Sequence, residues 1–212
     1  MQPTLYYAPG ASSLAAHIVL EELGRPFQLA LVSTADGSTR SPEHLRINPK
    51  GRIPVLRIDG RILTELPAIL LFLALSNPGA SLAPESPEGL ARCVEWLNWL
   101  SGTVHSVAIR QIWRPEDFTM DKTQTVNVIA TGKKGLSAAF EYVEERMLGS
   151  DWAVGRQYSI VDPFLLVIHY WGSQIGFDMA GRYSAWTSHA RRVLRRPAVH
   201  RALGREAIVA WV

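Results

Sequence analysis

The chain has 212 residues, 47% of them hydrophobic, with 22 Lys and Arg against 19 Asp and Glu and a net charge of +3; this composition excludes a disordered chain and argues against a nucleic-acid partner. Its length predicts two domains, and its one cysteine, Cys93, excludes an intramolecular disulfide and a cysteine-built metal site. MQPTLYYAPG has no basic segment leading into an apolar one, and the apolar run AILLFLAL (68–75) is too short for a bilayer, so a cytoplasmic protein without a membrane partner is expected.

TLYY (4–7) reads as a strand, and SLAAHIVLEELG (13–24) as a helix closed by Gly24. FQLALVS (27–33) reads as a second strand, and STADGSTRSPEHLRINPKGR as a loop with one helical turn at PEHLR. IPVLRIDG (53–60) and RILTE (61–65) predict a hairpin across Asp59-Gly60, and PAILLFLALS (67–76) a helix with Pro67 in its first turn. The order βαβ, loop, ββα predicts a small four-stranded α/β sandwich. NPGASLAPESPEG (77–89) reads as a linker, which places the domain boundary there. Helical periodicity then runs over 88–113, 121–148, 159–173, 183–194 and 197–209, predicting an all-α second domain. Arg191, Arg192, Arg195 and Arg196 fall at a helix end, where cations complement the dipole.

Four stretches carry possible chemistry. In APGASSLAAH (8–17) a Pro-Gly turn feeds Ser12 and Ser13 into a helix start, where bare N–H groups suit an anion. In INPKGRIPVL (47–56), Ile53-Pro54 opens a strand; proline there reads either as an edge residue or as a turn or cis bond, and a cis bond would turn the Ile53 main chain outward toward an extended peptide-like ligand. In TELPAIL (64–70), Glu65 either complements the helix dipole or accepts from a ligand amine beside Leu66. SIVD (159–162) is a capping box that serves folding.

Taken in this order and spacing, the strand, the Gly-turn-Ser-helix, NPKGRIPVL and TELPAI resemble the N-terminal domain of the glutathione S-transferases, and PGASSL is similar to the PGACSL-type loop of the bacterial beta class. WLNWLSGTVH (96–105) is similar to the first long helix of that class, so the resemblance covers nearly the whole chain. It implies a thioredoxin-like α/β domain at 1–78 that binds glutathione and an all-α domain at 87–212 that supplies the electrophile pocket. The implied activity is glutathione transfer to a small hydrophobic electrophile by a homodimer, with glutathione as co-substrate and no metal. A free thiol has a pKa of about 8.5 and must be lowered for attack, at about 1.4 kcal/mol per unit. The resemblance assigns that task to a hydroxyl: Ser12 first, standing where the class has cysteine, then Ser13, then Tyr7. It places His105 near the sulfur, Ile53, Pro54, Glu65, Leu66 and Asn98 against glutathione, and Ile109 and Trp113 along the pocket. Trp96 and Trp99 are assigned to packing, and Cys93 has no role. The loop lysine of the family is missing, with Arg40 or Lys50 as substitutes. Two rivals are a glutathione-dependent disulfide or peroxide reductase without a protein thiol, and a non-catalytic scaffold.

Overall fold

Four short strands make one mixed sheet in the order β2-β1-β3-β4. They are β1 (Thr4–Tyr7), β2 (Gln28–Leu31), β3 (Val55–Ile58) and β4 (Arg61–Thr64). β1 runs parallel to β2 and antiparallel to β3, which pairs antiparallel with β4. The computed structural model describes residues 2–33 and 35–212; Met1 of the leader reading and Thr34 of the predicted loop lie outside them. The second strand is shorter than the predicted 27–33 because only Gln28 to Leu31 find ladder partners on β1. Asp59 and Gly60 both take positive φ, 48° and 75°, the backbone that a two-residue hairpin needs to follow the twist of its strands.

The crossover from β1 to β2 is α1 (Ser13–Leu23), closed by Gly24 at φ 63°. Every residue from Ser13 to Glu21 is buried, because β1, α3, α7 and α10 all pack against α1. α2 (Pro42–Ile47) realises the predicted turn at PEHLR, and α3 is Leu66–Leu75.

Beyond it the chain is helical: α4 (Pro87–Trp99), α5 (Arg110–Trp113), α6 (Thr125–Met147), α7 (Val161–Ile175), α8 (Met179–Arg182), α9 (Ser184–Leu194) and α10 (Pro197–Arg205). Ser86 caps α4 by accepting from Gly89 N–H at 3.1 Å. The predicted single helix over 88–113 is continuous in space but not uniform, since Leu100–Ile109 is π-helical. The reading over 121–148 begins too early: Lys122–Gln124 is a separate 3₁₀ turn in front of α6. α8 escapes prediction because four residues hold less than two turns of periodicity. In the capping box, Asp162 accepts from Ser159 N–H at 2.6 Å as expected, but the Ser159 hydroxyl accepts from Val161 N–H at 3.3 Å, and Asp162 N–H closes a three-residue turn on Ser159 C=O at 3.1 Å.

One apolar core runs through both parts, joining Leu5, Leu56 and Ile69 to Leu97, Phe164 and Trp186. Charged pairs seal its edge: Glu21 takes Arg201 at 2.7 Å and Arg205 at 2.9 Å, and Glu22 takes Arg196. Among the described residues, no helix is long and apolar enough to cross a membrane.

Candidate functional site

The end of β1, the turn after it and the start of α1 meet the helical part of the molecule at one point. Ser12 is the N-cap residue of α1; it is only 5% exposed, yet its hydroxyl makes no capping bond. The N–H groups of Ser12 and Ser13 have no acceptor among the described residues, and the first turn holds no acidic side chain. Ser13 is different. It is fully buried, and its hydroxyl donates to Ala8 C=O at 3.1 Å and accepts from Ala8 N–H at 3.3 Å, so it is committed to bracing the turn. Tyr7 ends β1 half-buried, with its ring edge-on to His17 at 6.1 Å.

Gly10 sits in the turn at φ 68°, and a Cβ on it would stand 3.2 Å from Tyr170 Cε1. A side chain is therefore refused twice, by backbone angle and by space. Its main chain is held from both sides: N–H donates to Glu206 Oε2 at 2.9 Å, and C=O accepts from Trp171 Nε1 at 2.7 Å. The other carboxylate oxygen of Glu206 meets the fully buried His17 Nδ1 at 2.7 Å. These contacts tie the serine turn to α7 and to the end of α10.

Just before β3, Ile53-Pro54 is cis, with Ile53 half-buried and Pro54 buried. The Ile53 main chain has no hydrogen-bond partner among the described residues outside the strand ladder. Below it, His44 Nε2 and Asn48 Nδ2 both donate to Arg52 C=O, at 3.2 and 2.8 Å. Arg40, one expected substitute for the family lysine, lies over Gly51, where a Cβ would meet its guanidinium at 2.9 Å. Lys50, the other, reaches Glu65 at 2.6 Å and Thr64 Oγ1 at 3.0 Å. Glu65 stands just before α3 at φ 70°, ψ 119°, a backbone that costs on the order of 1–3 kcal/mol and is held only where its surroundings impose it. Leu66 opens α3 with its side chain in the core, 4% exposed, which leaves only its main chain for a ligand.

The third wall is aromatic. Trp171 packs against His105 at 4.7 Å and edge-on against Trp113 at 5.4 Å between ring centres. The stripe expected of His105, Ile109 and Trp113 is broken in the middle: Ile109 is fully buried in the core, while Trp113 is 43% exposed. The π-helical stretch explains this. Its bonds reach five residues back, as in Arg110 N–H to His105 C=O, so a step of four falls short of a full turn there and swings Ile109 inward. The following α-helical step overshoots and returns Trp113 to the His105 side. Burial, then the charges of Arg52 and Arg110, push His105 down to about 4, which makes it a neutral imidazole at pH 7. Asn98 is exposed on α4, and Trp96 and Trp99 pack edge-on against each other, with Trp99 edge-on and Trp96 tilted against Tyr142.

A family model, the glutathione S-transferase N-terminal domain, matches residues 11–75. Glutathione S-transferase GstA of Escherichia coli O157:H7 is 31% identical over 207 residues, 96% of this chain and 98% of that protein. The chain belongs to the glutathione S-transferase family. Among solved structures, a glutathione transferase homologue from Sulfitobacter with bound glutathione superposes with a TM-score of 0.91 at 31% identity, covering 98% of this chain and 99% of that one. A bacterial beta-class glutathione S-transferase from Sphingomonas chungbukensis superposes at 0.85 with 30% identity, covering 97% and 100%. The thioredoxin-like sheet and the helical region are those of the family.

Within this glutathione S-transferase fold, three residues around the site have no signal in the sequence. Trp171 is hidden in an apolar helix, Glu206 is a lone acid near a helix end, and Arg52 is one cation in a loop. Each matters only through a partner far away in the chain: Gly10 for the first two, His105 for the third. Cys93 is fully buried, and desolvation pushes its thiol up to about 11.

Proposed function

We propose that this family member conjugates glutathione to a small apolar electrophile. The observation that carries the reading is the unpaired Ser12 hydroxyl beside two bare N–H groups at the start of α1, in a turn whose Gly10 carbonyl is held by Trp171 of the aromatic wall. Glutathione lies extended along the rim, its cysteinyl main chain paired with Ile53 beside Pro54. Its γ-glutamyl amine meets Glu65, and its carboxylate meets the first turn of α3 at Leu66, with Lys50 alongside. The sulfur then reaches Ser12, whose O–H donates to it while the helix end favours the anion. Ser13 is spent on Ala8, and Tyr7 ranks third. Arg52, which makes no ion pair among the described residues, adds positive potential that favours a thiolate and a peptide carboxylate.

The electrophile sits against Trp171, Trp113 and neutral His105, a wall suited to a flat aromatic compound. Thiolate attack forms the C–S bond and expels the leaving group; no metal takes part. Residues 1–78 act as the glutathione-binding domain and 87–212 as the pocket-forming one, in a cytoplasmic homodimer. Asn98 is an outer contact to glutathione. The reductase alternative cannot run through Cys93, which is buried and protonated; it needs a second glutathione in the cleft.

The test is a side-by-side assay with glutathione, scoring conjugation of a dinitrophenyl halide against reduction of a small disulfide. Conjugation is expected to dominate. Disulfide reduction without conjugation would select the reductase, and neither activity with no glutathione binding would select a scaffold.

A further inference from the structure

The chain beyond α10 makes contacts that packing alone does not require. Just past α10, Ala207 takes φ 54° and Ile208 N–H returns to Leu203 C=O at 2.9 Å, and this turn throws the following residues back over α7. Ile208 reaches the serine turn: a Cβ on Gly10 would lie 3.9 Å from Ile208 Cδ1. Trp211 lies on Tyr170, ring centres 4.5 Å apart, and Tyr170 in turn borders Gly10. Trp211 Nε1 donates to His169 Nδ1 at 3.1 Å.

That last bond is held by a complete chain of donors. The Thr187 hydroxyl donates to Met179 C=O at 2.8 Å, so it accepts from His169 Nε2 at 3.1 Å. His169 is then the Nε2–H tautomer, and its Nδ1 lone pair points at Trp211. Since His169 is fully buried, removal of the indole N–H leaves an acceptor with nothing to replace it.

We propose that residues 206–211 form a strap that positions the Gly10–Ser12 turn, and that Trp211 is the positioning residue that latches it. Glu206 grips the Gly10 N–H, Ile208 covers the glycine, and Trp211 fixes the far end of the strap through Tyr170 and His169. The consequence for catalysis rests on the reading that Ser12 activates the thiol; the positioning of the turn does not.

The experiment compares wild type with Trp211→Phe, which keeps a ring on Tyr170 and removes the donor, and with Ile208→Ala, which removes the cover without touching His169. Amide hydrogen exchange is followed on the peptide spanning 7–14, and the pH profile of kcat/KM with glutathione is measured alongside. Both variants are expected to speed exchange in that peptide on the order of tenfold, Trp211→Phe through its lost hydrogen bond and Ile208→Ala through the lost apolar cover, and to move the alkaline-rising limb of the profile to higher pH. Unchanged exchange and an unchanged profile in folded variants would overturn the strap. If exchange accelerates while Ser12→Ala leaves the profile where it is in wild type, the strap stands and the assignment of Ser12 is what fails.

Discussion

Two serines adjacent in sequence have opposite fates, and the difference is which side of the turn each faces. Ser13 points back and closes both hydrogen-bonding groups of Ala8; Ser12 keeps a free hydroxyl at the helix start. His105 is the other residue whose state is set by its surroundings. With its pKa lowered to about 4 by burial and by Arg52 and Arg110, the folded protein binds fewer protons than the unfolded chain between that value and the ordinary 6.5. Stability is thus full above pH 6.5 and is lost as the pH falls through this window. His105→Gln is expected to lose less stability than wild type between pH 7 and pH 5 in urea unfolding. His169, pushed to about 3, keeps part of the slope in both proteins. Equal losses would contradict the assignment. At this scale the sequence located the turn and helix start at Ser12 but left Pro54 open between an edge residue and a cis bond, which the structure shows to be cis; it was silent where a role depends on a distant partner, as at Trp171.

The elements of the sheet were legible because each has a local cause: Gly24 ends α1, Asp59-Gly60 makes the hairpin, Pro67 opens α3. The long helices were legible from their apolar period. The π-helical stretch was not, since its residues fit an α-helix equally well and only the packed structure shows the wider turn. It moved Ile109 from an expected pocket wall into the core. The end of α10 was also misplaced, at 209 instead of Arg205, because the residue that stops it is Ala207, not a glycine. An alanine at φ 54° carries left-handed strain of about 1 kcal/mol. Ala207→Gly is therefore expected to raise the Tm by ~2–4 °C, the shift that about 1 kcal/mol gives in a protein of this size. A lowered Tm would show that the alanine methyl contributes more than its backbone angle costs.

At the scale of the whole molecule, the candidate site exists only because two parts of the chain meet. The sheet unit supplies a helix end, a free hydroxyl and, among the described residues, an unpaired main chain at Ile53; the helical region supplies Trp171, His105 and Trp113, and reaches back through Glu206 to hold Gly10. The resemblance to the family, read from motifs of the first unit and one helix of the second, anticipated that meeting but not the contacts that make it. The most direct measurement is a titration of the glutathione thiolate absorbance in the complex, for wild type and for Ser12→Ala. Wild type is predicted to bind the thiol with its pKa at least about one unit below the free value of roughly 8.5, and Ser12→Ala to return most of that shift while still binding glutathione. A bound thiol that titrates alike in both proteins would contradict the account.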